Sequence, residues 1–474
     1  MPRYGLVSDA PQDPSTKTST DHLSPKATQI ESEGHHLSAE DQSPVSRLPM
    51  ELLSEIFLHF VSEKLDFEIP ALVATTVALV CVAWRAAAHG TAQLWTFISS
   101  RQTKVRLDDQ LRYSAALPLH LTHWDYVSPP HVTLPRFVDG VGAHMRRVQS
   151  FDFWSSCASL AAIPVQNMPA LACARIDLSR EYRPGALDFL ANATALNELS
   201  VQVRYTMTSH TQAVRPPSLP SLTRLTLSVD RDVRPEWYLS TVAQCGAHLT
   251  FLNVTFAPHS HEDQPLVLGF TPGILVLPQL RTLKLENQNH QMLAYMRAPQ
   301  LESIVLTAVN EYQRTGDPFV FFRRLLQYAP TPSVRTLDLR DISISDPSAL
   351  FACLALLPDL NRMAVTWRDG GGAPMMFHHK GLLTDELFDR MTGATERTPL
   401  VPRLTSVDFN IDDRNPRTFS EQALRRFIRS RRAPSVRGGC SVAALEEVRV
   451  AGIYDSDNDF DCDGDRDGAV HSVE

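Results

Sequence analysis

A motif that recurs through most of the chain, P-x-L-x-x-L-x-L in its fullest form, limits the possible folds more than any other feature of the 474 residues. The clearest copies are LPSLTRLTLSV from Leu219, LPQLRTLKLEN from Leu277, APQLESIVLTA from Ala298, TPSVRTLDLRD from Thr331, LPDLNRMAVTW from Leu357 and VPRLTSVDFNI from Val401. MPALACARIDL, ATALNELSVQV, GAHLTFLNVTF and VAALEEVRVAG are weaker ones. The apolar anchors Leu171, Leu196, Leu222 and Leu249 recur at steps of about 26 residues, and Leu280, Leu301, Val334, Leu360, Leu404 and Leu445 follow less evenly. The alternation in L-x-L predicts a short strand with every second side chain turned inward. The Pro that leads the motif stops the preceding helix and, at a strand's first position, removes no ladder bond.

Helical patterns fill the intervals, each with a start signal. Asp317-Pro318 precedes FVFFRRLLQYA and Asp346-Pro347 precedes SALFACLALL, an Asp to accept first-turn N–H groups and a Pro at the first helical position; Ser420 similarly caps EQALRRFIRSR. Strand, turn and helix thus alternate as in a solenoid, where each unit buries its apolar face only against its neighbours. Over residues 142–452 the pattern resembles the leucine-rich-repeat family. That family often places Asn or Cys just beyond the second strand leucine, where this chain has Asp230, Ala257, Gln288, Ile342 and Arg368. The buried side-chain ladder is therefore expected to be missing and the arc irregular. Residues between the inward ones, such as Arg281, Thr282 and Lys284 or Arg335, Thr336 and Asp338, are expected to face solvent and build a binding surface.

Residues 46–100 have a different pattern. A helix opens at Leu48-Pro49 and carries Leu52, Leu53, Ile56, Phe57 and Phe60 at helical spacing. A second helical stretch over 71–88 bears Leu72, Leu79, Val80 and Trp84, and a turn at His89-Gly90 leads to Leu94-Trp95. A unit this small cannot bury so wide an apolar stripe by itself, so a partner or the following domain must cover it. The ordered blocks Leu48-Pro49, Glu51-Leu52-Leu53, Glu55-Ile56-Phe57, then Val80-Cys81, Trp84-Arg85 and finally Leu94-Trp95 resemble the F-box, with a long gap around 67–70 and Val82 where a basic residue is usual. The resemblance implies a three-helix module that binds a Skp-family adaptor and, through it, a cullin. Its adaptor-binding set would be Leu48, Pro49, Leu52, Leu53, Ile56, Phe57, Val80, Cys81, Trp84, Leu94 and Trp95. The plainer reading is a helical hairpin that caps the repeats. A membrane span over 69–88 is disfavoured by Arg85, Thr75 and Thr76.

The rest of the sequence narrows the function further. A net charge of -8 argues against a general nucleic-acid binder. The 7 cysteines are scattered, without the close spacing of a zinc or redox site, and the first residues lack the apolar core of a secretory signal; both suit the cytoplasm or nucleus. Residues 1–45, with Ser24-Pro25 and Ser43-Pro44, have the composition of a disordered tail. The insertion over 368–399 contains Gly370-Gly371-Gly372 and His378-His379, which meet no phosphate-loop or metal-site pattern, and a short helix at TDELFDRM. Arg425, Arg426, Arg429, Arg431, Arg432 and Arg437 form a basic cluster, either a solvated helix end or a grip for an acidic or phosphorylated segment. Asp463, Asp465, Asp467, Gly468 and Glu474 match the spacing of a calcium loop, but no helix can follow Glu474, so chance within an Asp tract is the simpler account. No catalytic, cofactor or metal set emerges.

The expected fold class is therefore α/β: a tail over 1–45, a short three-helix F-box over 46–100, an irregular leucine-rich-repeat-like solenoid over 101–454 and an acidic tail over 455–474. The expected role is the non-catalytic substrate-recognition subunit of a Skp-cullin-F-box ubiquitin ligase, with an unknown protein target on the repeats and no nucleic acid or membrane partner. The alternative is a repeat scaffold that acts without ubiquitin transfer.

Overall fold

The computed structural model describes residues 48–451 except 63–67, 126–131, 180–184, 205–215, 230–234, 257–273, 309–316, 329–332, 343, 345, 368–380, 394–398 and 412–417. The expected tails over 1–45 and 455–474, the Gly370–Gly372 and His378-His379 features and the calcium-loop spacing all lie outside the described residues. By contacts the chain divides into Met1–Pro49 and Met50–Glu474. In the first unit Leu48 is half-buried and Pro49 exposed.

The second unit is built on one 13-stranded sheet in which every pairing is parallel. Its strands are β1 (Phe97–Ser99), β2 (Leu119–Trp124), β3 (Val148–Ser156), β4 (Cys173–Ser179), β5 (Glu198–Arg204), β6 (Arg224–Val229), β7 (Phe251–Phe256), β8 (Thr282–Glu286), β9 (Ser303–Thr307), β10 (Thr336–Arg340), β11 (Arg362–Trp367), β12 (Ser406–Ile411) and β13 (Glu447–Ala451). They lie side by side in chain order, so the protein is a leucine-rich-repeat-like solenoid of repeated strand–helix units. Three of the strands, β1, β2 and β3, precede the first copy of the motif.

The inward leucines of neighbouring strands stack in register. Leu225 pairs with Leu252, Leu252 with Leu283, Leu283 with Ile304 and Ile304 with Leu337, all fully buried. Helices cover this face: Pro318–Tyr328 contributes Phe319 and Phe322, Pro347–Ala355 contributes Leu350 and Phe351, and Asp385–Thr392 contributes Phe388 to the same core. Their starts follow the sequence signals. Asp317 accepts from Phe319 N–H at 2.9 Å, Asp346 from Ser348 N–H at 2.9 Å and Ser420 from Ala423 N–H at 3.2 Å.

The prolines do something other than stop helices. In six copies the residue before Pro accepts a hydrogen bond from the Leu two positions after it, as from Leu222 N–H to Leu219 and from Leu280 N–H to Leu277, at 3.2–3.3 Å. Pro220, Pro278 and their counterparts thus occupy the second position of a β-turn, for which a fixed φ is suited.

Where the expected asparagine ladder is missing, the backbone supplies its own. From β4 to β12 the carbonyl just ahead of each strand takes two successive N–H groups of the next repeat. Asn197 O accepts from Thr223 and Arg224, Thr250 O from Arg281 and Thr282, Glu302 O from Arg335 and Thr336, and Thr405 O from Glu446 and Glu447, at 2.8–3.1 Å. Ile342, at one of the family's Asn positions, is simply buried. After β8 polar side chains enter the interior, where Asn289 donates to Val254 O at 3.3 Å and fully buried His290 lies 3.2 Å from Leu285 O.

Burial pushes the His290 imidazole down to about 4, against the pull of the Leu285 carbonyl, so it is neutral in the folded chain near pH 7. The unfolded chain then binds the extra proton below its ordinary value near 6.5, and stability present above that pH is lost as pH falls toward about 4. The loss attributable to this side chain is about 3 kcal/mol. Urea melts between pH 7 and 4 are expected to show it as a slope that His290→Gln removes.

Candidate functional site

The chain ahead of the sheet folds into α1 (Met50–Ser62), α2 (Glu68–Ala78) and α3 (Val82–Gly90), followed by a short 3-10 turn, Ala92–Trp95. The single helical stretch expected over 71–88 is two helices. The chain turns at Leu79-Val80, and Cys81 caps α3 by accepting from Trp84 N–H at 3.5 Å. Arg85 Nε donates to Ala78 O at 2.9 Å, which ties the start of α3 to the end of α2. No described helix is long and apolar enough to cross a membrane.

Helix α1 carries two apolar stripes at i, i+4 spacing. Leu53, Phe57 and Val61 are buried, at 8% exposure or less, and Phe57 meets Trp84 with ring centroids 5.1 Å apart. Leu52, Ile56 and Phe60 are 46–51% exposed. The same division runs through α2 and the turn after it: Val73, Ala74 and Ala78 face in, while Leu72, Leu79, Val80 and Val82 are 57–79% exposed. Eight of the sixteen exposed large apolar side chains recorded for the described residues lie between Met50 and Val82. That clustering distinguishes a patch from the single exposed apolar residues normal on any protein.

The structure therefore splits the expected adaptor-binding set. Leu52, Ile56, Val80 and Cys81 are at the surface. Leu53, Phe57, Leu94 and Trp95 are interior and hold the helices together, so no partner reaches them while the helices stay folded. Trp84 is half-buried against Phe57, and Leu48 and Pro49 belong to the first unit. Sequence reasoning noted Leu72 and Leu79 only as helix positions and left them out of the set, together with Val82; their exposure follows from the break at Leu79-Val80, which no Gly or Pro marks.

The same helices close one end of the sheet. Trp95 donates from Nε1 to Ala88 O at 2.7 Å and lies 5.0 Å from the Tyr113 ring of α4 (Lys104–Tyr113), while His89 stacks on Tyr113 at 4.2 Å. Thr91 Oγ1 sits 2.7 Å from both Ser54 Oγ of α1 and Ala87 O of α3. The same helices thus carry the buried stripes of the cap and the exposed apolar side chains.

Charges pair between and along the strands. Arg224 of β6 lies 3.7 Å from Glu198 of β5 and over the Phe251 ring at 4.2 Å, Arg281 meets Glu302 at 3.3 Å just ahead of β8 and β9, and Arg340 meets Asp338 at 2.6 Å within β10. Lys284 approaches the other side of the field, 5.6 Å from Phe251. Thr282, Ser303 and Thr336 pair side by side in register and form a row of hydroxyls. At the strand starts a cleft of about 410 Å³ is lined by Arg335, Asp359, Asn361, Arg403 and Thr405, with Arg403 paired to Asp359. Trp124 and Trp154 stack at 4.6 Å on the same face of the early strands, with Arg101 5.3 Å above Trp124.

Two polar groupings are structural in their geometry. Arg431 is fully buried and donates to the carbonyls of Met391, Leu400, Val401 and Pro402 at 2.8–3.3 Å, and Arg437 donates to Ser430 and Thr392. Arg425 pairs with Glu421 and Arg426 with Asp389. The basic cluster read from the sequence is thus dispersed, its central member serving as a backbone clamp. Near β2, Asp125 accepts from His123 at 2.6 Å and from the Ser155 hydroxyl. Burial would raise this carboxyl, but the bonds from His123 and Ser155 outweigh it and hold it below the usual range. Ser155 gives its proton to the carboxylate, not to the imidazole, so the trio lacks the order that activates a serine nucleophile.

No protein-family model and no curated protein matches the chain. Among solved structures, a crystal structure of a protein from Bacteroides fragilis aligns with a TM-score of 0.33 and 13% identity, covering 60% of this chain and 66% of that one.

The two stripes of α1 give opposite expectations on truncation. Leu53→Ala is expected to cost about 2–5 kcal/mol of stability, as for a fully buried leucine, whereas Ile56→Ala stays within roughly 1 kcal/mol. Chemical denaturation of both variants separates them.

Proposed function

We propose that this chain is the substrate-recognition subunit of a Skp-cullin-F-box ubiquitin ligase. Its helical unit docks on a Skp-family adaptor and its strand face holds a protein target. The observation that carries this reading is the exposed stripe of Leu52, Ile56, Leu72, Leu79, Val80 and Val82, set on helices whose sequence resembles the F-box and left open although a second stripe on α1 already builds the interior. Burying one such side chain in a partner contributes about 1.5–3 kcal/mol before the costs of association. A few of them suffice for a stable complex.

The solvent face of the parallel sheet supports the second half of the role. It is broad, its charges are neutralised by neighbours, and its hydroxyls and the Phe251 platform suit contact with a folded or extended protein surface. In this role the chain supplies no nucleophile. It holds a target near the enzyme that does, and the rate gain is that of proximity.

The test is co-purification with a Skp-family adaptor and its cullin. The wild-type chain is expected to bring down both, and Leu52→Ser combined with Ile56→Ser is expected to lose the adaptor while keeping its melting temperature, because neither side chain is in the core. Adaptor binding without cullin would favour the scaffold reading. Absence of adaptor binding by a folded wild-type chain would remove the ligase reading.

A further inference from the structure

Among the described residues the sheet is closed at one end and open at the other. Strand β1 lies under the helical unit, and its inward residue Ile98 is buried. Strand β13 pairs with β12 alone among the described residues. Its inward residue Val448 is 39% exposed, while the twelve residues that precede it in the same row, Ile98 through Val407, are each 3% exposed or less. The carbonyl ladder also stops here. Thr405 O takes the amides of Glu446 and Glu447, but Glu446 O, next in the series, has no acceptor role among the described residues. Glu447 N–H points to β12, so in the alternating pattern of a parallel ladder the amides of Val448 and Val450 point away from it, to an unfilled side.

We infer that β13 pairs antiparallel with β13 of a second copy of this chain, across a twofold axis at Val448. An antiparallel pair uses the outward amides of Val448 and Val450, and a twofold axis that does so can sit at residue 448, 449 or 450. Centred on Arg449, it sets two guanidiniums face to face. Centred on Val450, it sets Arg449 opposite Ala451. Centred on Val448, it brings the two half-exposed valines together and sets Glu447 of each copy opposite Arg449 of the other. The same register offers Glu446 O to the Val450 amide across the axis. Within each chain Arg449 already meets Glu447 at 2.6 Å, so this register extends that pair across the axis, and one choice satisfies the open backbone groups and the open core without setting like charges together.

The residues that follow β13 suit the edge poorly. Asp stands at every second position from Asp455 to Asp467, so a strand formed there would carry all its carboxylates on one face. This inference is independent of the ligase reading, since it concerns the opposite end of the sheet.

Sedimentation equilibrium of the full chain across the micromolar range tests it, with hydrogen exchange at residues 446–451. A monomer–dimer equilibrium is expected, with the Val448 and Val450 amides slowed in the dimer. Val448→Pro is expected to be monomeric with little change in melting temperature, because its amide points away from β12 and serves no bond among the described residues. Arg449→Glu sets carboxylates against each other and is expected to weaken association at least about tenfold. Combining it with Glu447→Arg restores the pairing with reversed signs. A chain that stays monomeric throughout overturns the inference, and slow amides in that monomer would assign the edge to the chain's own following residues. A dimer indifferent to Val448→Pro overturns it too, as does a charge swap no better than the single reversal.

Discussion

The shared carbonyl at the strand starts from β4 to β12 is the contact on which the repeat architecture depends. By taking two amides of the following repeat, from Asn197 O through Thr405 O, it places each strand one ladder step from the last and fixes register before any side chain is counted. The inward leucines then fall opposite one another. The stitch needs no particular side chain, which is why Ile342 can be simply buried just beyond its strand. It needs instead a turn of constant shape just ahead of it, which the Pro-led β-turns at Leu219, Leu277 and Leu357 provide.

A one-dimensional stack has two ends, and each must be dealt with physically. At the first, α1–α4 bury Trp95 and Ile98 and leave no open core. That task occupies only one stripe of α1. The second stripe, Leu52, Ile56 and Phe60, is not required by the fold, and retaining apolar residues at solvent-facing positions carries a solubility and aggregation penalty. A face that stability does not need is where an interaction is most economically explained. At the far end no helix among the described residues performs the closing task, and Val448 is 39% exposed.

Much of this was legible in the sequence where the pattern repeated. The L-x-L strands from β4 onward, the Asp-Pro and Ser starts of the later helices and the α/β solenoid itself follow from spacing alone. The first three strands were hidden because HLTHW and FDFWSS replace leucine with aromatics and polar residues that pair sideways, as Trp124 does with Trp154. Arg431 was invisible as a clamp: a guanidinium in an Arg-rich run reads as surface, and only the convergence of four distant carbonyls makes its burial affordable. For the helical unit, helical spacing showed that α1 was apolar on a wide arc, yet could not say which leucines faced in. Leu52 and Leu53 are adjacent in sequence and opposite in fate, and only the position of α3, set by the break at Cys81, decides between them.

The separation of the two surfaces follows from the same nearest-neighbour physics. Each repeat touches only the units beside it, so a change at the exposed stripe of α1 has no packing route to the strands around Phe251, many repeats away. In the proposed ligase role this independence has a use. The docking face can be held constant while Arg224, Phe251, Lys284 and the hydroxyl row are replaced freely to suit a different target, because the carbonyl ladder uses only backbone amides at these positions and their side chains lie outside the inward core. Strand-face side chains contribute little to stability when their charges are exposed and laterally paired. The stack must nevertheless be stiff for proximity to act, and stiffness is what a continuous 13-stranded sheet with one contiguous core supplies.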